Sequence, residues 1–133
     1  FDGKRLSFFR PGQYIAIQIK NKELTVTRPF TLASSPNEAV DKNYYEVTIK
    51  KLDKGLFTTW LFKNAKVGTI VNIASPEGEF SYNPIRDHEH IVALAGGTGI
   101  TPFVSMAKAI ASGTLQNVKM TLFHGFPSMN EGV

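Results

Sequence analysis

The chain has 133 residues, 42% of them hydrophobic, with no cysteine and a formal net charge of +4. That length can bury a core of ordinary single-domain size, and the lack of cysteine excludes disulfides, thiolate zinc, an iron–sulfur cluster held by this chain and a thiol nucleophile. No apolar run approaches the ~20 residues that span a bilayer, and "FDGKRLSF" lacks the layout of a signal peptide. A soluble cytoplasmic protein is therefore expected. Because Phe1 rather than Met comes first, a processed or excised chain is expected too.

Residues 1–66 hold 12 Lys/Arg against 6 Asp/Glu, a balance of +6, whereas the remainder holds 3 against 5, or −2. A basic first half suits an anionic ligand or an acidic partner, although scattered lysines are more often ordinary solvated surface. No Lys/Arg-rich run interleaved with aromatics occurs, so nucleic acid is not an expected partner.

In chain order, "QYIAIQIK" alternates Ile15, Ile17 and Ile19 against Tyr14, Ala16 and Gln18, the period of a half-buried strand. "YYEVTIKK" and "TIVNIAS" are rich in β-branched residues and read as further strands. Pro11-Gly12, Asn21-Lys22, Ser35-Pro36-Asn37, Asp53-Lys54-Gly55 and Pro76-Glu77-Gly78 punctuate them as turns. A short helix is predicted from Leu56 to Lys63. Several closely spaced antiparallel strands with one small helix predict a compact barrel or sandwich. After His90 the pattern changes: "IVALA" reads as a buried parallel strand, Pro102 to Ile110 as a helix ended by Ser112-Gly113, and "VKMTLFHG" as a second strand. Residues 91–124 thus form one βαβ unit.

Between that first strand and its helix lies "LAGGTGITP". Glycines at a strand-to-helix turn permit positive φ and let phosphates approach the backbone, while the helix start offers free N–H groups and a favourable dipole. The segment is neither G-x-G-x-x-G nor a P-loop. Its plain alternative is a tight turn whose glycines only let helix and strand pack. A second constellation is Arg28-Pro29-Phe30-Thr31-Leu32-Ala33-Ser34-Ser35: an Arg fork read at a strand start, alternating hydroxyls and one aromatic suit a phosphate and a flat ring. An edge strand with exposed polar residues explains it equally well. The third is Gly55-Leu56-Phe57-Thr58-Thr59-Trp60-Leu61, a glycine before a helix with hydroxyls in its first turn. Phe57 and Trp60 themselves read as core. His88-x-His90 has chelate-like spacing but sits in the polar connector "IRDHEH" with only Asp87 and Glu89 beside it, so no metal site is expected. His124 reads as structural.

These three segments, in this order, resemble the ferredoxin–NADP⁺ reductase superfamily. Its flavin domain carries Arg-x-Tyr-Ser-x-x-Ser and then a Gly-x-x-Ser-x-Leu-like motif, and its nicotinamide domain opens with Gly-x-Gly-x-x-Pro. "RPFTLASS", "GLFTTWL" and "GTGITP" match in order, and "FRPGQYIAI" and "VGTIVNIASPEGEF" look like family strands. The resemblance implies a mainly β fold: an antiparallel Greek-key flavin-binding β-barrel with one small helix over residues 1–86. It further implies the first βαβ unit of an incomplete α/β NAD(P)-binding domain over residues 87–133.

It also implies roles. Arg28, followed by Pro29, would pair with the flavin phosphates, Phe30 would pack on the isoalloxazine, and Thr31, the expected catalytic group, would set its hydroxyl near N5. Thr48, Ile49 and Lys50 would line the ribityl and phosphate region. Gly55, Leu56, Phe57 and Thr58 would cap the phosphates. Gly97, Thr98, Gly99, Thr101 and Pro102 would shape the nicotinamide site. Phe30 stands where the family usually has Tyr, and Thr31 and Thr58 stand for serines.

The expected cofactors are FAD, with FMN the alternative because most of the family uses FAD, and NAD(P)H as donor. NADH is slightly favoured, since no Lys or Arg follows Lys119. Hydride would pass to the flavin and electrons onward singly to a ferredoxin-like, haem or flavin partner. Only one βαβ unit precedes Val133, so a truncated chain is expected that binds flavin but turns over NAD(P)H poorly. The rival expectation is a non-enzymatic β-barrel module for an anionic ligand, nucleic acid or acidic protein.

Overall fold

The computed structural model describes residues 5–22 and 24–125. Strand β1 (Tyr14–Lys20) buries Ile15, Ile17 and Ile19 and turns Tyr14, Ala16 and Gln18 outward, as its alternation requires. It pairs antiparallel with β2 (Thr25–Thr31), in register from Tyr14 opposite Thr31 to Lys20 opposite Thr25. Helix α1 (Pro36–Lys42) and helix α2 (Leu56–Asn64) follow. Strand β3 (Asn72–Ile73) then lies antiparallel on the other side of β1, giving the sheet order β2-β1-β3.

The second half holds β4 (His90–Gly96), a 3-10 turn over Gly97–Ile100, helix α3 (Thr101–Ala111) and β5 (Lys119–Gly125). Strands β4 and β5 pair in parallel from His90 beside Lys119 to Gly96 beside Gly125. This is the βαβ unit that the sequence predicts, and the chain as a whole is an antiparallel sheet followed by a parallel one. The sequence reading of residues 126–133 lies outside the described residues.

Three details differ from expectation. Ser35-Pro36-Asn37, read as a turn, starts α1 instead: Ser35 Oγ accepts from Glu38 N at 3.2 Å, and Glu38 Oε2 accepts from Ser35 N at 2.9 Å. That reciprocal pair is a capping box, with Pro36 at the first helical position where its missing N–H costs nothing. The predicted strand "YYEVTIKK" contributes only an isolated bridge, Val47 to Leu32, with Ala33 N donating to Glu46 O at 2.7 Å. Beyond it Thr48 and Lys50 line a cleft instead of joining a ladder. The predicted strand "TIVNIAS" is regular over two residues, although Ala74 N still donates to Ala16 O and Tyr14 still bridges Glu77. The sheet therefore stays open and does not close into a barrel among the described residues.

The main core gathers Phe9, Ile15, Ile17, Ile19, Val26, Leu32, Ala39 and Phe57 between the antiparallel sheet and the two first helices. Each large side chain there contributes about 1.5–3 kcal/mol of burial. A smaller cluster, Ala93, Phe103 and Met106, fixes α3 on one face of the parallel pair. Phe80 meets Phe103 edge-on at 5.7 Å, joining the two halves.

Candidate functional site

One cleft of about 470 Å³ runs along the seam between the halves, within the usual range of ligand sites. β2 supplies Arg28, Pro29, Phe30 and Thr31 to its wall, and the extended segment after Val47 supplies Thr48, Lys50 and Leu52. The start of α2 adds Gly55, Leu56, Phe57 and Thr58, and the glycine turn adds Thr98 and Thr101. The three segments singled out in the sequence thus meet in space. Ile49, Gly97, Gly99 and Pro102 do not line this cleft; Ile49 packs against the main core instead.

The wall has an apolar part and a cationic part. Phe30 and Phe57 lie with ring centroids 5.0 Å apart, tilted by 43°, a favourable aromatic contact. Phe57 is also a core residue, so the face that meets the cleft is anchored from behind. Arg28 lies in the middle of β2 rather than at a strand start, and its Nη1 donates to Thr27 O at 2.7 Å. Lys50 is the second cation on the cleft wall.

Helix α2 begins at Gly55 with no side chain capping its first turn. First-turn N–H groups with no intrahelical partner favour an anion. A Cβ on Gly55 would stand 2.6 Å from Thr58 Oγ1 and 3.1 Å from Leu52 Cβ, so the close approach of this loop to the helix depends on glycine. The Thr58 hydroxyl turns inward: it accepts from Leu52 N at 3.2 Å and lies 3.3 Å from both Leu52 O and Gly55 O. It secures the loop, and the uncapped first turn of α2 forms part of the cleft wall.

At the other side, Thr101 Oγ1 donates to Thr98 O at 2.8 Å, tightening the glycine turn. Gly97 has φ +50°, and a Cβ on Gly97 or Gly99 would meet nothing within 4 Å among the described residues. Packing of helix on strand is therefore not what calls for glycine here. Open surface beside an uncapped helix start is what a close-approaching ligand backbone requires.

Leu52 escaped the sequence reading, and His124, which reads as structural, has a structural role whose partner the sequence did not name. Leu52 lines the cleft and orders Thr58. His124, at the end of β5, places Nε2 3.0 Å from the Gly97 carbonyl; only its position at a strand end beside the glycine turn hinted at this. His90 Nε2 lies 2.9 Å from Thr121 Oγ1, within the parallel pair. Near the junction, Asp87 accepts from Arg86 and from Asn83 N, which holds its carboxyl down at about 2.

An apolar wall, two cations, an uncapped helix start and a glycine turn opening a βαβ unit suit a flat ring joined to phosphates. Residues 4–82 match the FAD-binding domain of oxidoreductases, and residues 93–131 match the oxidoreductase NAD-binding domain. The chain belongs to the ferredoxin–NADP⁺ reductase superfamily. It is 31% identical over 121 residues to the glycine betaine monooxygenase reductase subunit of Chromohalobacter salexigens, covering 90% of this chain and 31% of that protein. It is 34% identical over 113 residues to a flavohemoprotein of Halalkalibacterium halodurans, covering 79% of this chain and 26% of that one. The flavohem-like FAD/NAD-binding domain of a nitric oxide dioxygenase from Vibrio cholerae superposes with a TM-score of 0.81 at 26% identity, over 98% of this chain and 54% of that one. The ferredoxin reductase in carbazole 1,9a-dioxygenase does so at 0.73 and 29% identity, over 94% and 36%. The chain spans about a third or less of the length of these curated relatives. No helix among the described residues is long and apolar enough to cross a membrane.

Proposed function

We propose that these residues form the flavin-binding unit and the opening of the nicotinamide unit of a cytoplasmic reductase that moves electrons from NAD(P)H through FAD to a haem, iron–sulfur or flavin acceptor. The observation that carries this is the meeting in one cleft of Arg28, Phe30, the Gly55 start of α2, and Thr98 with Thr101. A cradle that a Cβ at Gly55 would fill, a flat aromatic wall and two cations fit a ring joined to a diphosphate. Relatives named as a monooxygenase reductase subunit and as flavohemoproteins support an oxygenase or haem-type acceptor. The boundary between the units falls after Arg86, in the connector before β4.

FAD, when bound, supplies a centre that takes two electrons as hydride and releases them singly. The chain's residues do the rest. Arg28 and Lys50 neutralise the diphosphate, the α2 first turn offers it N–H donors, and Phe30 with Phe57 supports the ring. Thr31, which lines the same cleft as Thr98 and Thr101, would offer its hydroxyl to the flavin ring. Rings seated between the two walls would be shielded from water and oriented donor against acceptor. A purely binding β-module is not favoured, because it gives the glycine turn and its helix nothing to do.

Titration of the purified chain with FAD, FMN and a duplex oligonucleotide, read by flavin fluorescence and anisotropy, tests the proposal. FAD is expected to bind, FMN more weakly and the oligonucleotide not at all. Arg28→Ala should weaken FAD by about 10–100-fold, the worth of a charge-assisted hydrogen bond. Absence of flavin uptake would overturn the reading.

A further inference from the structure

The two walls of the cleft belong to elements far apart in sequence, and one buried hydrogen bond joins their roots. Thr31 ends β2 on one wall, and three residues later comes the Ser34 carbonyl. Thr101 begins α3 on the other wall, and Ser105 follows one helical turn later. Ser105 Oγ donates to Ser34 O at 2.7 Å, across 71 residues of sequence. Both serines are fully buried at 0% exposure.

The Ser34 end of this bond is itself fixed on several sides. Leu32 N donates to Gln13 O at 3.0 Å, Ala33 N to Glu46 O, and Glu46 N to Ser34 Oγ at 3.2 Å. Ser35 caps α1. The carbonyl therefore cannot shift without disturbing β1, α1 and the segment at Glu46. One turn above this rigid point, α3 presents Thr101 to the cleft. On the surface the same helix repeats the link, with Lys108 Nζ 2.5 Å from Glu46 Oε2 and 3.9 Å from Glu38 Oε2.

We infer that Ser105 is a positioning residue: through Ser34 it sets the separation between the Phe30–Thr31 wall and the Thr98–Thr101 turn. The inference rests on the proposed reading, in which a flavin lies on one wall and a nicotinamide on the other. Orientation and contact distance govern such a transfer, and a displacement of about 1 Å costs on the order of 100-fold. A serine serving only as a small filler would tolerate alanine in both stability and reactivity. A serine that sets the gap would not, even where both ligands still bind.

The complete FAD-loaded protein carrying Ser105→Ala is mixed with NADH or NADPH in single-turnover experiments. Flavin content, melting temperature, nucleotide affinity, the limiting rate of flavin reduction and the long-wavelength absorbance of the stacked ring pair are all recorded. The expected result is near-normal flavin content and nucleotide affinity within about threefold. The limiting rate should fall about tenfold or more, with a weakened stacking band. Lys108→Met, on the exposed part of the same link, should act in the same direction by about two- to threefold, and it decides the matter if Ser105→Ala does not fold. A wild-type rate and band in Ser105→Ala, or in Lys108→Met where only that variant folds, overturns the inference. Failure of the unaltered protein to take up FAD or to be reduced by either nucleotide overturns the underlying reading instead.

Discussion

His124 Nε2 lies 3.0 Å from the carbonyl oxygen of Gly97, so the end of β5 holds the first residue of the glycine turn. A carbonyl only accepts, so the imidazole must carry its proton on Nε2 in this contact. The turn has no side chain capping its start, and its glycines are conformationally free. The His124 contact adds an outside anchor to the Thr101–Thr98 bond within the turn. His124→Ala should remove about 0.5–1.5 kcal/mol of local restraint. Amide hydrogen exchange over Thr98–Thr101 should then quicken by about 2–10-fold, while α2 exchanges as before. His124→Gln, which keeps a donor, should recover part of the protection; identical exchange in all three proteins would remove the anchor role.

Gly55 is the second point where backbone geometry depends on one residue. An added methyl would press against Thr58 Oγ1 at 2.6 Å, and that oxygen is already committed to Leu52. Gly55→Ala should lower stability by about 1 kcal/mol or more, because the clash outweighs alanine's advantage in chain entropy. It should also weaken flavin uptake by moving the first turn of α2. Thermal melting and FAD titration measure the two effects separately, and an equally stable variant with unchanged affinity would contradict the packing described.

Acid titration gives a third check, at the junction between the halves. Asp87 has its carboxyl lowered from 3.8 to about 2, first by its hydrogen bond from Arg86 and then by the Asn83 amide. A depressed carboxyl stabilises the fold above its unfolded value, and that contribution is lost as pH falls from about 4 through about 2. Glu38, lowered by the Ser35 amide and by Tyr44, adds a separate loss starting nearer its ordinary 4.5. Asp87→Asn should therefore flatten the fall in melting temperature between pH 4 and pH 2 without changing it between pH 4 and pH 4.5. A curve parallel to the wild type's throughout would show that the Arg86–Asp87–Asn83 group does not contribute.

What was legible in the sequence was whatever is written locally. The alternation of Ile15, Ile17 and Ile19 and the Gly-Thr-Gly-Ile-Thr-Pro turn each carry a period or a dihedral requirement within a few residues and form as expected, whereas the unbroken "IVALA" forms its parallel strand but is not buried on both faces, since Val92 and Leu94 are exposed. Helix α1 was equally local but hidden, because Pro36-Asn37 signals a turn more loudly than Ser35 and Glu38 signal a capping box. Hydroxyl direction was not legible. Thr58 and Thr101 look ligand-facing as letters, but their oxygens close onto Leu52 and Thr98. Least legible were the partners of contacts at long separation: His124 to Gly97 and Ser105 to Ser34 span 27 and 71 residues.

The parallel pair supplies the last prediction. Its strands alternate, so Ile91, Ala93, Ala95 and Met120 meet α3 while Val92, Leu94 and Phe123 point the other way. Leu94 sits beside Phe123 in the register, and the two are 74% and 58% exposed, with Val92 at 62%. Parallel strands are ordinarily buried on both faces, and a contiguous apolar patch of this kind drives association. The 133-residue chain should therefore self-associate with rising concentration in sedimentation velocity. Leu94→Thr combined with Phe123→Thr should shift it toward monomer. Both residues are exposed and Thr suits a strand, so melting temperature should stay nearly unchanged. A wild-type chain that stays monomeric at high concentration, or a double variant that associates as strongly, would show that this face is not the sticky one.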